Sequence, residues 1–206
     1  MLDNLSKYNI LLASNSPRRR ELLGGLGLSY EVVSLPEIDE SYPDTLYGSE
    51  IPSYIAQKKA DAYRSMMKPN TLLITADTIV WLDGKVYGKP VDEDNARQML
   101  RELSGRSHTV ITGVAITTCD VQKVFAVESK VTFATLTEEE IDYYVTKYHP
   151  LDKAGAYGIQ EWIGYIGVTG LDGSYFNVMG LPIQRLYNEL KNSNSPNNIQ
   201  SSFSHS

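Results

Sequence analysis

A single cysteine, Cys119, leaves this 206-residue chain without a partner for an intramolecular disulfide and without thiolates for a zinc site. Its setting in a strand-like run makes it a packed core or hairpin residue rather than a nucleophile. Histidine is almost as scarce: only His108, His149 and His205 are present, and no Gly-x-Ser-x-Gly occurs. Serine-triad chemistry and a histidine-spaced zinc site are therefore poorly supported. A basic surplus is also missing. The net charge of -6 argues against a general nucleic-acid binder, although a small basic pocket remains compatible with it. No apolar run approaches the ~18 residues of a membrane span, and residues 1–9 are polar. The expectation is a soluble cytoplasmic protein with no membrane partner.

What is present is an ordinary globular mix, 42% hydrophobic and 21% charged, in a chain long enough to bury a core unaided. One domain over 1–191 is expected, with two lobes around a cleft, followed by an Asn/Ser-rich tail at 192–206 expected to be disordered. Ile10-Leu11-Leu12 reads as a buried strand, and Ser16-Pro17 as a helix start with a capping hydroxyl and Pro at the first position. Arg18, Arg19 and Arg20 then crowd the positive end of a helix, where cations are disfavoured. The stretch is either an anion site, with a polyphosphate as the simple ligand, or a solvated basic turn.

Further along, Tyr30–Ser34 reads as a strand and 36–48 as an acidic loop containing Glu37, Asp39, Glu40 and Asp44. A helix follows from about Glu50 to Met67 with an inward stripe of Ile51, Ile55, Ala62 and Met66. Lys59 falls on that stripe, so it either snorkels to the rim or points into a site. Thr71–Trp81 is a strand apolar enough to be buried on both faces, interrupted by Asp77. A carboxylate there must be paired, metal-bound or hydrogen-bonded. Asp83-Gly84 turns a hairpin that ends at Gly88-Lys89-Pro90, which is not a Walker motif: Gly84 to Gly88 is too short and Pro90 replaces Ser or Thr. The spacing predicts a helix over 92–103, a long hairpin over 108–134, and a helix opened by the capping box Thr137–Glu140. Beyond the glycine-containing loop 152–160 come strands at 163–171 and 175–179 and a last helix from Gly180-Leu181-Pro182 to about Lys191. Strands and helices alternate around one hairpin excursion, so the fold class is α/β with a mixed, partly antiparallel sheet flanked by helices. The carboxylates Asp77 and Glu40 with the cations Arg18, Arg19, Lys59 and Lys89 suit phosphoanhydride hydrolysis assisted by a hard divalent cation.

Ala13-Ser14-Asn15-Ser16-Pro17-Arg18-Arg19 with Glu21-Leu22-Leu23 resembles the signature of the Maf family of nucleoside triphosphate pyrophosphatases. So do Ala76-Asp77-Thr78, Gly88-Lys89-Pro90, Leu103–Val110, Asp152–Gln160 and Gly180-Leu181-Pro182, in register from about 10 to 190. The resemblance implies a fold related to the inosine triphosphate pyrophosphatases and cleavage between the α and β phosphates. It implies Asp77 as the catalytic carboxylate that takes a proton from water or binds metal, and Glu40 as an acidic metal-site residue for Mg²⁺ or Mn²⁺. Lys59 and Lys89 become phosphate-binding or catalytic lysines, Ser14, Ser16 and Arg19 line the phosphate site, and Arg18, Thr78 and Gln160 bear on specificity. Ala76-Asp77-Thr78 with Ala156–Gln160 is similar to the branch acting on dTTP and UTP. An amide suits that edge, since it donates and accepts at once, as O4 and N3–H require. Rival readings are a pyrophosphatase for 7-methyl-GTP or inosine nucleotides and a non-catalytic nucleotide-binding regulator of cell division. A nucleotide is the expected partner; a homodimer is compatible with the sequence. Arg20 has no counterpart in the resemblance and reads as solvated surface.

Overall fold

The computed structural model describes residues 1–34 and 37–193. The expected tail lies outside the described residues from 194 onward, as does Pro36 of the acidic loop. The chain runs β1 (Asn9–Ala13), α1 (Pro17–Gly24), β2 (Glu31–Val33), α2 (Glu50–Tyr63), β3 (Thr71–Leu82), β4 (Lys85–Tyr87) and α3 (Glu93–Leu103). It continues β5 (Ser107–Thr117), β6 (Gln122–Phe133), α4 (Glu138–Tyr148), α5 (Trp162–Gly167), β7 (Val168–Asp172), α6 (Tyr175–Met179) and α7 (Ile183–Lys191). Among the described residues seven strands form one sheet in the order β2-β1-β3-β5-β6-β7, with β4 also paired to β3. β1 is parallel to β2 and β3, and the other pairings are antiparallel. The expected mixed α/β class holds. No helix among the described residues is long and apolar enough to cross a membrane.

The sheet is held together by β3, whose 12 residues pair with β1, β4 and β5. Its side chains alternate between faces. Leu72, Ile74 and Ala76 pack with Leu22 and Leu23 of α1 and Leu186 and Leu190 of α7. On the same face, Val80 and Leu82 pack with Leu100 and Leu103 of α3 and Ile141 and Tyr144 of α4. The opposite face carries α2: Leu73 meets Ala56 and Ala60, and Ile79 meets Ile51 and Ile55. Thr78 lies between the two helical groups of the first face. Along the β3 edge, β1 pairs only through Ile74 and β4 begins at Val80. Residues 75–79 therefore have a strand partner only on the β5 side among the described residues. That notch is where the cleft opens.

Local chemistry explains most boundaries. The α4 capping box forms, with Thr137 Oγ1 accepting from Glu140 N–H and the Glu140 carboxylate accepting from Thr137 N–H. Asp92 accepts from Asn95 N–H at 2.7 Å to start α3. Other expectations need correction. The buried stripe of α2 is Ile51, Ile55, Ala56 and Ala60, whereas Met66 is exposed. Met66 lies past the end of α2 at Tyr63, in a 3₁₀ turn over Arg64–Met66 that breaks the α periodicity, and Ala62 is only half-buried. The strand expected over 163–171 is split into α5 and β7. Gly164 permits a tight turn, because a Cβ there would stand 1.8 Å from the Ile159 carbonyl oxygen. The strand expected over 175–179 is the short helix α6. Its cap is Ser174, whose Oγ accepts from Asn177 N–H at 3.2 Å, and the buried Asn177 amide donates to the carbonyls of Val110 and Val127. Burial of Ile163 and Asn177 outweighed the strand preference of these β-branched and aromatic runs.

Gly113 of β5 admits α2 to the sheet: a Cβ there would lie 2.3 Å from the Pro52 carbonyl carbon and 2.4 Å from Ser53 N. Both are backbone atoms and cannot swing aside. Gly113→Ala is expected to cost about 3 kcal/mol of stability in denaturant unfolding. Unchanged stability would contradict this close approach.

Candidate functional site

A cleft of about 540 Å³ opens at the notch. Its lining includes Ser14, Ser16, Arg18, Arg19, Glu40, Lys59, Asp77, Thr78, Lys89 and Gln160, so every candidate from the sequence is brought to one cavity. The β1–α1 turn supplies one wall from the C-terminal end of β1, the usual place for a ligand in an open sheet with parallel strands. The capping hydroxyl expected at Ser16 does not form: Ser16 makes no side-chain cap, and its own N–H donates to Ser14 Oγ at 3.2 Å. The first-turn N–H groups of α1 are without intrahelical acceptors by geometry, and they stand in the cleft wall.

The two arginines of that turn differ. Arg19 is spent largely on the protein, donating to Gly180 O at 2.7 Å, Ala76 O at 2.9 Å and Thr78 Oγ1 at 3.0 Å. Burial lowers its pKa, while the charge of Asp77 works the other way. Arg18 donates through Nε to Met179 O at 3.2 Å and through Nη1 to Asp152 Oδ2 at 3.2 Å. Arg20 is exposed, but its Nε and Nη2 both donate to the Ser14 carbonyl at 3.4 Å, so it braces the β1–α1 turn from outside the cleft.

Lys59 settles its two readings by pointing inward. Its Nζ lies 2.9 Å from Asp77 Oδ1, 3.0 Å from Glu40 Oε1 and 3.5 Å from the Ala76 carbonyl oxygen. The buried Asp77 is thus paired, as its burial requires. Glu40 is an exposed residue that reaches the same ammonium from the acidic loop, which Lys58 also ties down by donating to Ser41 O at 3.1 Å. Lys89 is exposed at the cleft and has no ion-pair partner among the described residues.

Two carboxylates therefore converge on one positive point. No group of three or more acidic, His or Cys side chains able to hold a metal exists among the described residues. Magnesium is commonly held by one or two carboxylates together with substrate phosphates, so this hard-oxygen pair fits such an ion. The lining carries five cations (Arg18, Arg19, Lys59, Lys89, Lys153) against four anions (Glu37, Glu40, Asp77, Asp152), a cationic bias within an acidic protein. That balance suits a polyanion.

At the other end Gln160 Oε1 is buried with no hydrogen-bond partner among the described residues. Buried polar atoms rarely remain unpaired, and this one belongs to a residue lining the cleft. Sequence reasoning missed the group beside it. Lys153 Nζ contacts Asp152 Oδ1 at 2.8 Å and Glu161 Oε1 at 2.9 Å, and only 8% of the residue is exposed. Burial works against the charge of Asp152, but hydrogen bonds from Lys153 and Arg18 outweigh it, and its pKa falls. The available signal was a charged Asp152-Lys153 pair set in an otherwise small and apolar loop.

A family model described as Maf-like protein matches residues 9–193. The "dTTP/UTP pyrophosphatase" of Phocaeicola vulgatus is 67% identical over 191 residues, covering 93% of this chain and 99% of that protein. The protein of the same name from Bacteroides thetaiotaomicron is 65% identical over 191 residues, with the same 93% and 99% coverage. The solved Ham1 protein of Staphylococcus aureus aligns with a TM-score of 0.51 at 22% identity, over 90% of this chain and 99% of that one. That last likeness concerns the fold alone.

Below the cleft, His108 packs edge-on against Phe133 and Tyr157, and its Nε2 lies 2.6 Å from the Tyr157 hydroxyl. Burial lowers its pKa to about 4 from 6.5. The unfolded chain takes up this proton first on acidification. Stability from neutral His108 is therefore intact above pH 6.5 and falls by roughly 3 kcal/mol as pH drops toward 4. Denaturant unfolding between pH 7 and pH 4.5 checks this. His108→Gln should flatten that part of the slope, and an unchanged slope would remove His108 as its source.

Proposed function

The chain belongs to the Maf family, and from that membership we propose that it hydrolyses dTTP and UTP to the nucleoside monophosphate and pyrophosphate. The observation that carries the reading is Asp77 held at the open edge of β3 by Lys59, 2.9 Å away, facing the arginine-bearing turn. The first-turn N–H groups of α1, with Ser14, Ser16, Arg18 and Arg19, receive the phosphates. Lys89, the cleft lysine without an ion-pair partner among the described residues, adds an exposed cation to the cleft.

Lys59 has a second task. In this structure its ammonium pairs with Asp77 and Glu40 together. Substrate phosphates offer the ammonium a competing partner, which releases a carboxylate oxygen of Asp77 to accept the proton of the attacking water. The water oxygen bonds to the α-phosphorus, the bond from that phosphorus to the bridging oxygen breaks, and pyrophosphate leaves. Lys59 and Lys89 stabilise the charge that builds up on it. Asp77 and Glu40 would hold Mg²⁺ or Mn²⁺, which supplies charge neutralisation at the phosphates and acidifies bound water.

Base choice falls to Gln160, with Arg18 and Thr78 of the same cleft. The unpaired Oε1 of Gln160 supports an acceptor for N3–H of uracil or thymine, while its NH₂ serves O4. Adenine presents the reversed pattern at that edge, with N6–H donating and N1 accepting; guanine and hypoxanthine repeat it through O6 and N1–H, so their exclusion falls to the larger purine ring.

Pyrophosphate release from a nucleotide panel with Mg²⁺ or Mn²⁺ tests the reading. Turnover of dTTP and UTP above the purine triphosphates is expected. Preference for 7-methyl-GTP or inosine triphosphate, or binding without turnover, would overturn it. Asp77→Asn should lower kcat by about a thousandfold with the fold retained; near wild-type kcat would take Asp77 out of the chemistry. Gln160→Leu should reduce kcat/KM for UTP by about a hundredfold while sparing poorer substrates. An equal loss on every nucleotide would remove its role in base choice.

A further inference from the structure

A line of alternating charge runs from Arg18 toward the turn that carries Gln160. Arg18 Nη1 meets Asp152 Oδ2 at 3.2 Å, and Lys153 Nζ then bridges Asp152 Oδ1 at 2.8 Å to Glu161 Oε1 at 2.9 Å. Beyond Glu161 the line becomes neutral. The Tyr144 hydroxyl donates to Glu161 Oε2 at 2.8 Å and accepts from Gly158 N–H at 3.0 Å. Gly158 stands two residues before Gln160. One network thus ties the Arg18 side chain on α1 to the turn that carries Gln160.

We propose that Lys153 is a positioning residue for nucleotide selection, fixing Arg18 through Asp152 and the Gln160 turn through Glu161. This rests on the dTTP/UTP reading of the same cleft. A lysine as buried as Lys153 is costly unless paired, and here two carboxylates pair with it. One carboxylate would have neutralised it; the second leaves negative charge that orients the Arg18 guanidinium. The packing is close as well. A Cβ at Gly158 would lie 3.0 Å from Lys153 Cε and 3.2 Å from Gln160 Nε2, so lysine and amide sit side by side against a residue with no side chain. Removing the ammonium leaves Asp152 and Glu161 without their shared counter-charge, and both ends of the network lose their fixed geometry. Neither Asp77 nor Lys59 contacts Lys153, Asp152 or Glu161 through a hydrogen bond or ion pair among the described residues. The effect should therefore fall on KM and selectivity and spare kcat.

The test compares wild type with Lys153→Met, Lys153→Arg and Asp152→Asn. Each is assayed for kcat and KM on dTTP, UTP, GTP and ATP, with thermal unfolding to report the fold. Lys153→Met is expected to lower the pyrimidine-to-purine ratio of kcat/KM by about tenfold, through KM, with Lys153→Arg restoring most of it. Because Lys153 is buried, Asp152→Asn at an exposed residue decides the matter if Lys153→Met does not fold. It should raise KM for dTTP and UTP in the same direction. In an Arg18→Ala background Asp152→Asn should have no further effect on KM, since it acts through Arg18. A folded Lys153→Met or Asp152→Asn protein with wild-type KM and selectivity would overturn the proposal, as would additive effects with Arg18→Ala. Wild type that does not prefer pyrimidine nucleotides would instead overturn the dTTP/UTP reading, and the selectivity proposal with it.

Discussion

The architecture depends on an edge left open in the middle of a sheet. β3 is 12 residues long, but its neighbours on one side cover only its two ends. Backbone groups exposed between them need partners, because an unpaired buried carbonyl costs free energy comparable to a lost hydrogen bond. Side chains supply them: Arg19 and Lys59 both donate to the Ala76 carbonyl. The cations that complete the edge also line the cleft, so satisfying the sheet and lining the cleft with positive charge are one act. The single carboxylate of β3, Asp77, then sits where Lys59 can neutralise it.

This arrangement resolves the crowding of arginines at the start of α1. Arg19 is a structural cation, bound to two carbonyls and a hydroxyl, which joins the Gly180 turn to β3. Arg18 retains donors for a ligand while Met179 and Asp152 fix its direction. Arg20 lies on the outer side and donates to the Ser14 carbonyl. Three adjacent residues of one type thus serve three purposes, set by the direction each leaves the helix. The net charge of the chain is -6, yet the cleft gathers more cations than anions, which illustrates why a whole-chain balance excludes a broad polyanion surface and not a pocket.

Much of this was legible before any coordinates. The near-continuous apolar run of β3 announced burial on both faces, and Asp77 within it demanded a partner. The Thr137–Glu140 box and the Ser16-Pro17 start were read from cap chemistry, and the helices they open are present. Lys59 could be placed on an inward face, but the identity of its partners depended on a loop more than ten residues away in sequence and on a strand beyond it. The strand expected over 163–171 is present from Val168, but 163–167 and 175–179 are helical: their β-branched and aromatic residues favour strand, while burial of Ile163 and Asn177 decides for helix. Lys153 escaped notice because no periodicity marks a loop residue: its burial arises from Glu161 and the closely approaching Gly158. Long-range pairing was the missing information in each case.

The central claim is that Asp77 directs water to the α-phosphorus of a nucleotide whose phosphates lie on the arginine turn. Hydrolysis of dTTP in water labelled with oxygen-18, with the products analysed by mass spectrometry, tests it most directly. One labelled oxygen should appear in the thymidine monophosphate and none in the pyrophosphate. Label in pyrophosphate, or release of labelled orthophosphate, would place the attack at another phosphorus and contradict the account.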